Sequence, residues 1–227
     1  MKGCKNDEKT AFLVRDHLFT KQPNWLKFIT PGLTWLLPND DKIIYLTFDD
    51  VPVEKATPYV VDVLNDFKAK ASFFVVGEMA EKNTALLQRM AASGHLIGNH
   101  TYKHLNGWKT PAQIYLKDVL KCQQFIDAIV PASSIKLFRP PYGRLTKTQM
   151  GILKKEYKII LCEKISGDFQ PNLDFPRALR LLYETQTGDI VLFHDSIKCY
   201  QNLEILLPKF LAFFSERGYT FETLNMD

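Results

Sequence analysis

From residue 42 onward, short β-branched or aromatic runs alternate with stretches of helical period, and this alternation restricts the fold more than any other feature. The runs are IIYLTF (43–48), ASFFVV (71–76), HLIG (95–98), KLFR (136–139), YKIILC (157–162), DIVLF (189–193) and YTFET (219–223). Between them, Tyr115, Val119, Cys122, Ile126 and Ile129 mark one face of a helix, and Val60, Leu64 and Phe67 another. Leu203, Leu207, Phe210 and Phe214 mark a third, which Pro208 should kink or restart. Gly94, Gly188 and Gly218 punctuate the passages from helix to strand. Seven strands alternating with about six helices predict a parallel sheet with right-handed crossovers, either closed as an irregular barrel or open and doubly wound. In both forms, ligands and reacting groups collect at the C-terminal ends of the strands.

Those ends are polar. The first run leads into Asp49 and Asp50, the third into GNHTYKH with His100 and His104, and the fourth into RPPYG with Arg139 and Tyr142. The fifth leads to SGDF with Asp168, and the sixth to His194 and Asp195. Two adjacent carboxylates at the end of an apolar strand need a cation, a shifted pKa or water around them. On a helical turn, a spacing of four puts the rings of His100 and His104 on one side, where both reach one metal ion. Two imidazoles and a carboxylate such as Asp50, with a coordination position left for water, form a recurrent catalytic zinc arrangement. Asp49 then stands beside that water as a base. The competing reading is an Asp-Asp pair that caps the following helix.

Arg139, held by Pro140 and Pro141, is placed to keep Asp49 ionised and aimed; otherwise it is a surface arginine in a Pro-rich turn. Asp168 is either the counter-charge of Arg139, a group tuning His194, or a cap. His194 is a candidate general acid. His95 sits at the opposite end of its strand and reads as structural; His17 has no evident partner.

A chain of 227 residues, 46% hydrophobic and 24% charged, suits a single large core. Its net charge of +4, without a basic block, argues against nucleic acid. Cys4, Cys122, Cys162 and Cys199 lie far apart and read as reduced thiols. Residues 1–40 lack a clear period and carry Trp25 and Trp35, which predicts an extension packed on the domain that follows at 41–227. No apolar stretch matches a membrane span or a secretory leader, so the sequence as written reads as cytoplasmic, or as cell-envelope or secreted if its start is truncated.

The ordered set TFDD, NHTYKH, FRPPYG, SGDF and LFHD, over residues 42–224, resembles the polysaccharide deacetylase (NodB homology) domain of carbohydrate esterase family four. The resemblance implies a distorted (β/α)7 barrel and a metal-dependent hydrolase that removes N-acetyl groups from an amino-sugar oligomer or polymer, chitin-like or peptidoglycan-like. It implies Asp49 as base, and Asp50, His100 and His104 as ligands of a divalent metal, with zinc first and cobalt or nickel as substitutes. Arg139 would orient the base, the Tyr142 N–H hold the oxyanion, Asp168 tune the site and His194 act as acid. Leu192 would line the acetyl-methyl pocket. Trp108 in the LNGWKT loop either stacks on a sugar or packs inward, and Phe169 stands where the family more often has tryptophan, as does Cys162. Val51 replaces the usual glycine of TFDDGP. If that glycine is left-handed, Val51 should strain the loop by about 1–3 kcal/mol. That departure and the lost tryptophan support one alternative, a non-catalytic carbohydrate-binding or scaffold relative; a further alternative is an O-acetyl esterase on a xylan-like glycan, since the same site can cleave an ester.

Overall fold

The computed structural model describes residues 30–130 and 135–225. Its strands are β1 (Leu33–Thr34), β2 (Ile43–Val51), β3 (Ser72–Val75), β4 (Leu96–Asn99), β5 (Leu137–Phe138), β6 (Lys158–Ile160), β7 (Lys164–Ile165), β8 (Ile190–His194) and β9 (Thr220–Glu222). The helices are α1 (Ala56–Asp66), α2 (Gly77–Lys82), α3 (Thr84–Ala92), α4 (Ala112–Ile129), α5 (Lys147–Leu153), α6 (Phe175–Leu182) and α7 (Tyr200–Ser215), with a 3-10 turn at Pro141–Gly143. All seven expected runs are strands; β1 and β7, two residues each, carry too little pattern to be read from sequence.

Every strand pair of the sheet is parallel, in the order β1-β6-β5-β4-β3-β2-β8-β7, with β9 on the N-terminal half of β2. β6 and β7 stand far apart in that order, yet only residues 161–163 separate them in the chain. The sheet therefore curls until its margins are neighbours, which is the distorted barrel. An antiparallel bridge from Leu36 to Asp189 draws the segment after β1 across the gap. Leu37 N–H donates to the Gly188 carbonyl at 2.9 Å. A side chain on Gly188, at φ 85°, would meet the Leu37 carbonyl at 2.6 Å, so only glycine admits this approach.

Strand alternation sorts the side chains. From β2, Ile44, Leu46 and Phe48 face outward into the main core beneath the helices, and Tyr45 faces the barrel interior with Phe74, Ile160, Ile190 and Leu192. Phe48 stacks between Phe73 and Phe193, centroids 5.0 and 5.7 Å away. Burying one such ring contributes about 1.5–3 kcal/mol.

The expected α4 face is buried at Tyr115, Val119, Cys122 and Ile126. Contrary to expectation, Pro208 does not restart its helix: α7 runs unbroken from Tyr200 to Ser215. Proline deprives the Glu204 carbonyl of its i+4 donor, and the Tyr59 hydroxyl supplies another at 3.2 Å. Of the expected extension, residues 1–29, with Cys4, His17 and Trp25, lie outside the described residues, whereas Trp35 is buried and donates to the Thr30 hydroxyl. The three described cysteines are free and buried. No described helix is long and apolar enough to cross a membrane.

Candidate active site

Parallel strands bring their C-terminal ends to one rim, and the polar residues read from those ends meet there. β2 and β8 pair so that Asp49 is directly across from His194. In a regular strand, Asp50 would face away from Asp49. A register shift between Asp49 and Val51, with Asp50 at φ 64°, breaks that alternation. Both carboxylates consequently face one ring: His100 Nε2 lies 3.7 Å from Asp49 Oδ2 and 3.9 Å from Asp50 Oδ1. The strain expected at Val51 is therefore at Asp50. Val51 is fully buried in β2 across from Val75, a position where a β-branched side chain packs well.

His100 and His104 do converge, with ring centroids 5.1 Å apart, but no helical turn carries them. Thr101 and His104 adopt left-handed backbone at φ 65° and 53°, and this loop, rather than i, i+4 geometry, aligns the rings. His104 Nε2 is 3.1 Å from Asp50 Oδ1. One ligand atom each from Asp50, His100 and His104 lies within 4.8 Å of the other two.

The donor set fits a cation. His100 Nδ1 faces the Arg139 carbonyl at 2.7 Å, a position only a donor satisfies, so Nε2 carries the lone pair. Burial lowers the His100 pKa, more than Asp49 and Asp50 raise it, and keeps the ring neutral. A lone pair thus faces carboxylate oxygens across less than 4 Å, an arrangement that a shared divalent ion relieves. Burial works to raise the Asp50 pKa, but the hydrogen bond to His104 and the surrounding imidazoles of His100, His104 and His194 outweigh it and hold the carboxyl below its ordinary range.

Asp49 has a second partner. Arg139 Nη1 donates to Asp49 Oδ1 at 2.9 Å and to the Thr47 hydroxyl oxygen at 2.8 Å, and Nη2 donates to the Leu161 carbonyl at 2.9 Å. The guanidinium lies 4.2 Å over the Phe74 ring and is buried. Arg139 is therefore no surface arginine, and its counter-charge is Asp49, not Asp168.

Asp168 serves His194 instead. Its Oδ1 is 2.9 Å from His194 Nδ1, and its Oδ2 accepts the His194 backbone N–H at 2.7 Å. Burial alone would lower the His194 pKa; the Asp168 charge and hydrogen bond, with Asp49 and Asp50 behind them, push it up to about 9. The ring is consequently an imidazolium at neutral pH. Next to it, burial raises the Asp195 carboxyl to about 7, partly offset by a bond from the Thr57 hydroxyl at 2.7 Å.

Two exposed aromatics flank these groups. Tyr142, at φ 60°, sets its ring against His104 at 4.8 Å, and Phe169 sets its ring against His194 at 5.3 Å. Leu192, two residues before His194 on the same face of β8, is 7% exposed in the barrel interior beneath the rim. Trp108 packs inward: its Nε1 donates to the Leu145 carbonyl at 3.1 Å, and its ring lies against the Trp35–Leu161 cluster under Arg144. Thr47 and Thr57, the latter the partner of Asp195, have no signal in the sequence, since an isolated threonine carries no pattern. His95 is buried away from the rim and accepts from Ala71 N–H through Nδ1 at 3.3 Å.

The family profile described as polysaccharide deacetylase matches residues 37–157. A peptidoglycan-N-acetylglucosamine deacetylase of Bacillus cereus is 32% identical over 200 residues, 86% of this chain and 92% of the relative. A chitooligosaccharide deacetylase of Azorhizobium caulinodans is 29% identical over 67% of this chain and 73% of its own. Among solved structures, a peptidoglycan N-acetylglucosamine deacetylase superposes with a TM-score of 0.80 at 27% identity, covering 89% of this chain and 95% of that one. A pseudoenzyme of carbohydrate esterase family four from Bacillus anthracis, TM-score 0.75 at 19% identity, shares the fold. On the profile match and the B. cereus relative, this chain belongs to the polysaccharide deacetylase family.

Proposed function

We propose that this protein is a metal-dependent hydrolase that removes the N-acetyl group from N-acetylglucosamine units of a glycan. The observation that carries the reading is the placement of Asp49 and His194, directly paired on neighbouring strands, beside the Asp50–His100–His104 set. The names of the relatives, which act on peptidoglycan and chitooligosaccharides, support the same substrate class.

Asp50, His100 and His104 would hold the ion, zinc being the natural choice for two imidazoles and one carboxylate. A divalent ion so held supplies Lewis acidity and brings the pKa of a water to roughly 7. Asp49 accepts the proton of the attacking water through Oδ2, because its Oδ1 is occupied by Arg139. Arg139, fixed by Thr47 and the Leu161 carbonyl, keeps that carboxylate from rotating. His194 enters as the imidazolium and gives its Nε2 proton to the departing amine, while Asp168 holds Nδ1. Tyr142 and Phe169 offer ring faces on either side for a sugar.

The test is acetate release from N-acetylglucosamine oligomers and from peptidoglycan with Zn²⁺ or Co²⁺ added. Wild type should release acetate, and Asp49→Asn should do so about 10³-fold more slowly, within the range of a lost general base. Equal rates would remove Asp49 as the base; release from acetylated xylan alone would make the protein an esterase.

A further inference from the structure

The two-histidine loop is held by a set of hydrogen bonds to its own backbone. His100 N–H donates to the Val75 carbonyl at 2.9 Å, and Thr101 N–H to Asn99 Oδ1 at 2.9 Å. Leu105 N–H donates to Thr101 Oγ1 at 3.1 Å. From the other side, Gly77 and Glu78 N–H donate to the Thr101 and Tyr102 carbonyls at 3.0 and 2.9 Å. A side chain on Gly77 would lie 2.4 Å from Tyr102 Cδ2, so glycine is what lets α2 come this close.

Two of the three N–H groups between the histidines share one acceptor. Asp118 Oδ2, on α4, accepts from Tyr102 N–H at 2.7 Å and from Lys103 N–H at 3.0 Å. These N–H groups belong to the residues directly between Thr101 and His104, both in left-handed backbone. A carboxylate oxygen taking two consecutive N–H groups is a charge-assisted clamp on a turn of this kind. Tyr102 is held further by a hydrogen bond to Glu81 and by Lys121 Nζ, 3.5 Å over its ring.

We propose that Asp118 is a positioning residue for the ion site: by clamping the Tyr102–Lys103 turn, it holds His100 and His104 in ligating geometry before the ion arrives. This rests on the reading of Asp50, His100 and His104 as ligands. Its consequence is that Asp118, which touches neither ion nor substrate, sets ion affinity through pre-organisation. Sequence gave no hint of it, since Asp118 is an ordinary polar position on an amphipathic helix.

Ion affinity measures this separately from turnover. In chelator competition, Asp118→Ala should bind Zn²⁺ about 10–100-fold more weakly than wild type, the usual effect of losing an outer-shell partner. Its Co²⁺-loaded form should show a weaker or shifted visible absorption. Asp118→Asn keeps an acceptor oxygen in the same place and should recover most of the affinity. Wild-type affinity in Asp118→Ala, with an unchanged cobalt spectrum, overturns the clamp while leaving the ligand reading intact. Absence of ion binding by wild type overturns both. Should Asp118→Ala fail to fold, amide exchange in metal-free wild type decides: slowed exchange at Tyr102 and Lys103 supports a preformed loop, and exchange at unprotected rates overturns it.

Discussion

His95 and His100 lie at opposite ends of β4, five residues apart in the chain, and the same side chain means different things at the two ends. His95 is packed edge-on against Phe73 at 5.1 Å, accepts one backbone N–H, and has Lys70 as a charged neighbour acting on it. Burial, helped by Lys70, lowers its pKa to about 4. His100 is buried too, yet two carboxylates face its Nε2 and a carbonyl fixes its tautomer. Burial alone makes a histidine neutral; burial among carboxylates, with its tautomer set, aims its lone pair where a cation would be held. The difference arises because parallel strands gather their C-terminal loops on one rim, whereas the N-terminal ends receive only the helix-to-strand turns.

The comparison breaks first at His100. His100→Ala should lower ion affinity more than about 100-fold and remove turnover with it, since a ligand is lost and not merely its support. Metal analysis after dialysis, together with acetate release, checks this; full ion content in the variant would place His100 with the structural histidines.

A smaller effect is expected at the third rim histidine. In the proposed mechanism His194 gives up its proton, so the rate should fall as pH rises through about 9, its raised pKa. Asp168→Asn removes the charge responsible. The alkaline limb should move down toward the ordinary imidazole value, with a loss of about 30-fold at pH 8. Stability follows the same sign. The Asp168–His194 interaction is fully present below about pH 6.5 and is lost as pH rises through about 9, so Asp168→Asn should matter least to melting temperature on the alkaline side.

The smallest effect belongs to His95. Because its folded pKa is depressed, the unfolded chain binds a proton that the native state excludes between about pH 6.5 and 4, and stability falls as pH falls through that window. At pH 5 the loss is about 2 kcal/mol. His95→Asn keeps an acceptor for Ala71 N–H and should flatten the acid limb of a denaturation curve without altering acetate release. A change in turnover would mean that the two ends of β4 are not independent.

What the sequence determined by itself was the alternation of strand and helix, and with it the rim where Asp49, Asp50, His100, His104, Arg139, Asp168 and His194 meet. Those are consequences of period and chain order, which local side-chain chemistry dictates. The pairings were left to the tertiary structure. Whether Arg139 answers Asp49 or Asp168, and whether Trp108 faces solvent or core, depends on which segments lie together after the sheet curls, relations between residues 90 and 37 positions apart. The left-handed turns at Asp50 and His104 were equally invisible, because non-glycine residues adopt them only where surrounding hydrogen bonds and packing hold them there. The same holds for Val51: its mismatch with the family motif pointed to strain, and the fold placed that strain one residue earlier.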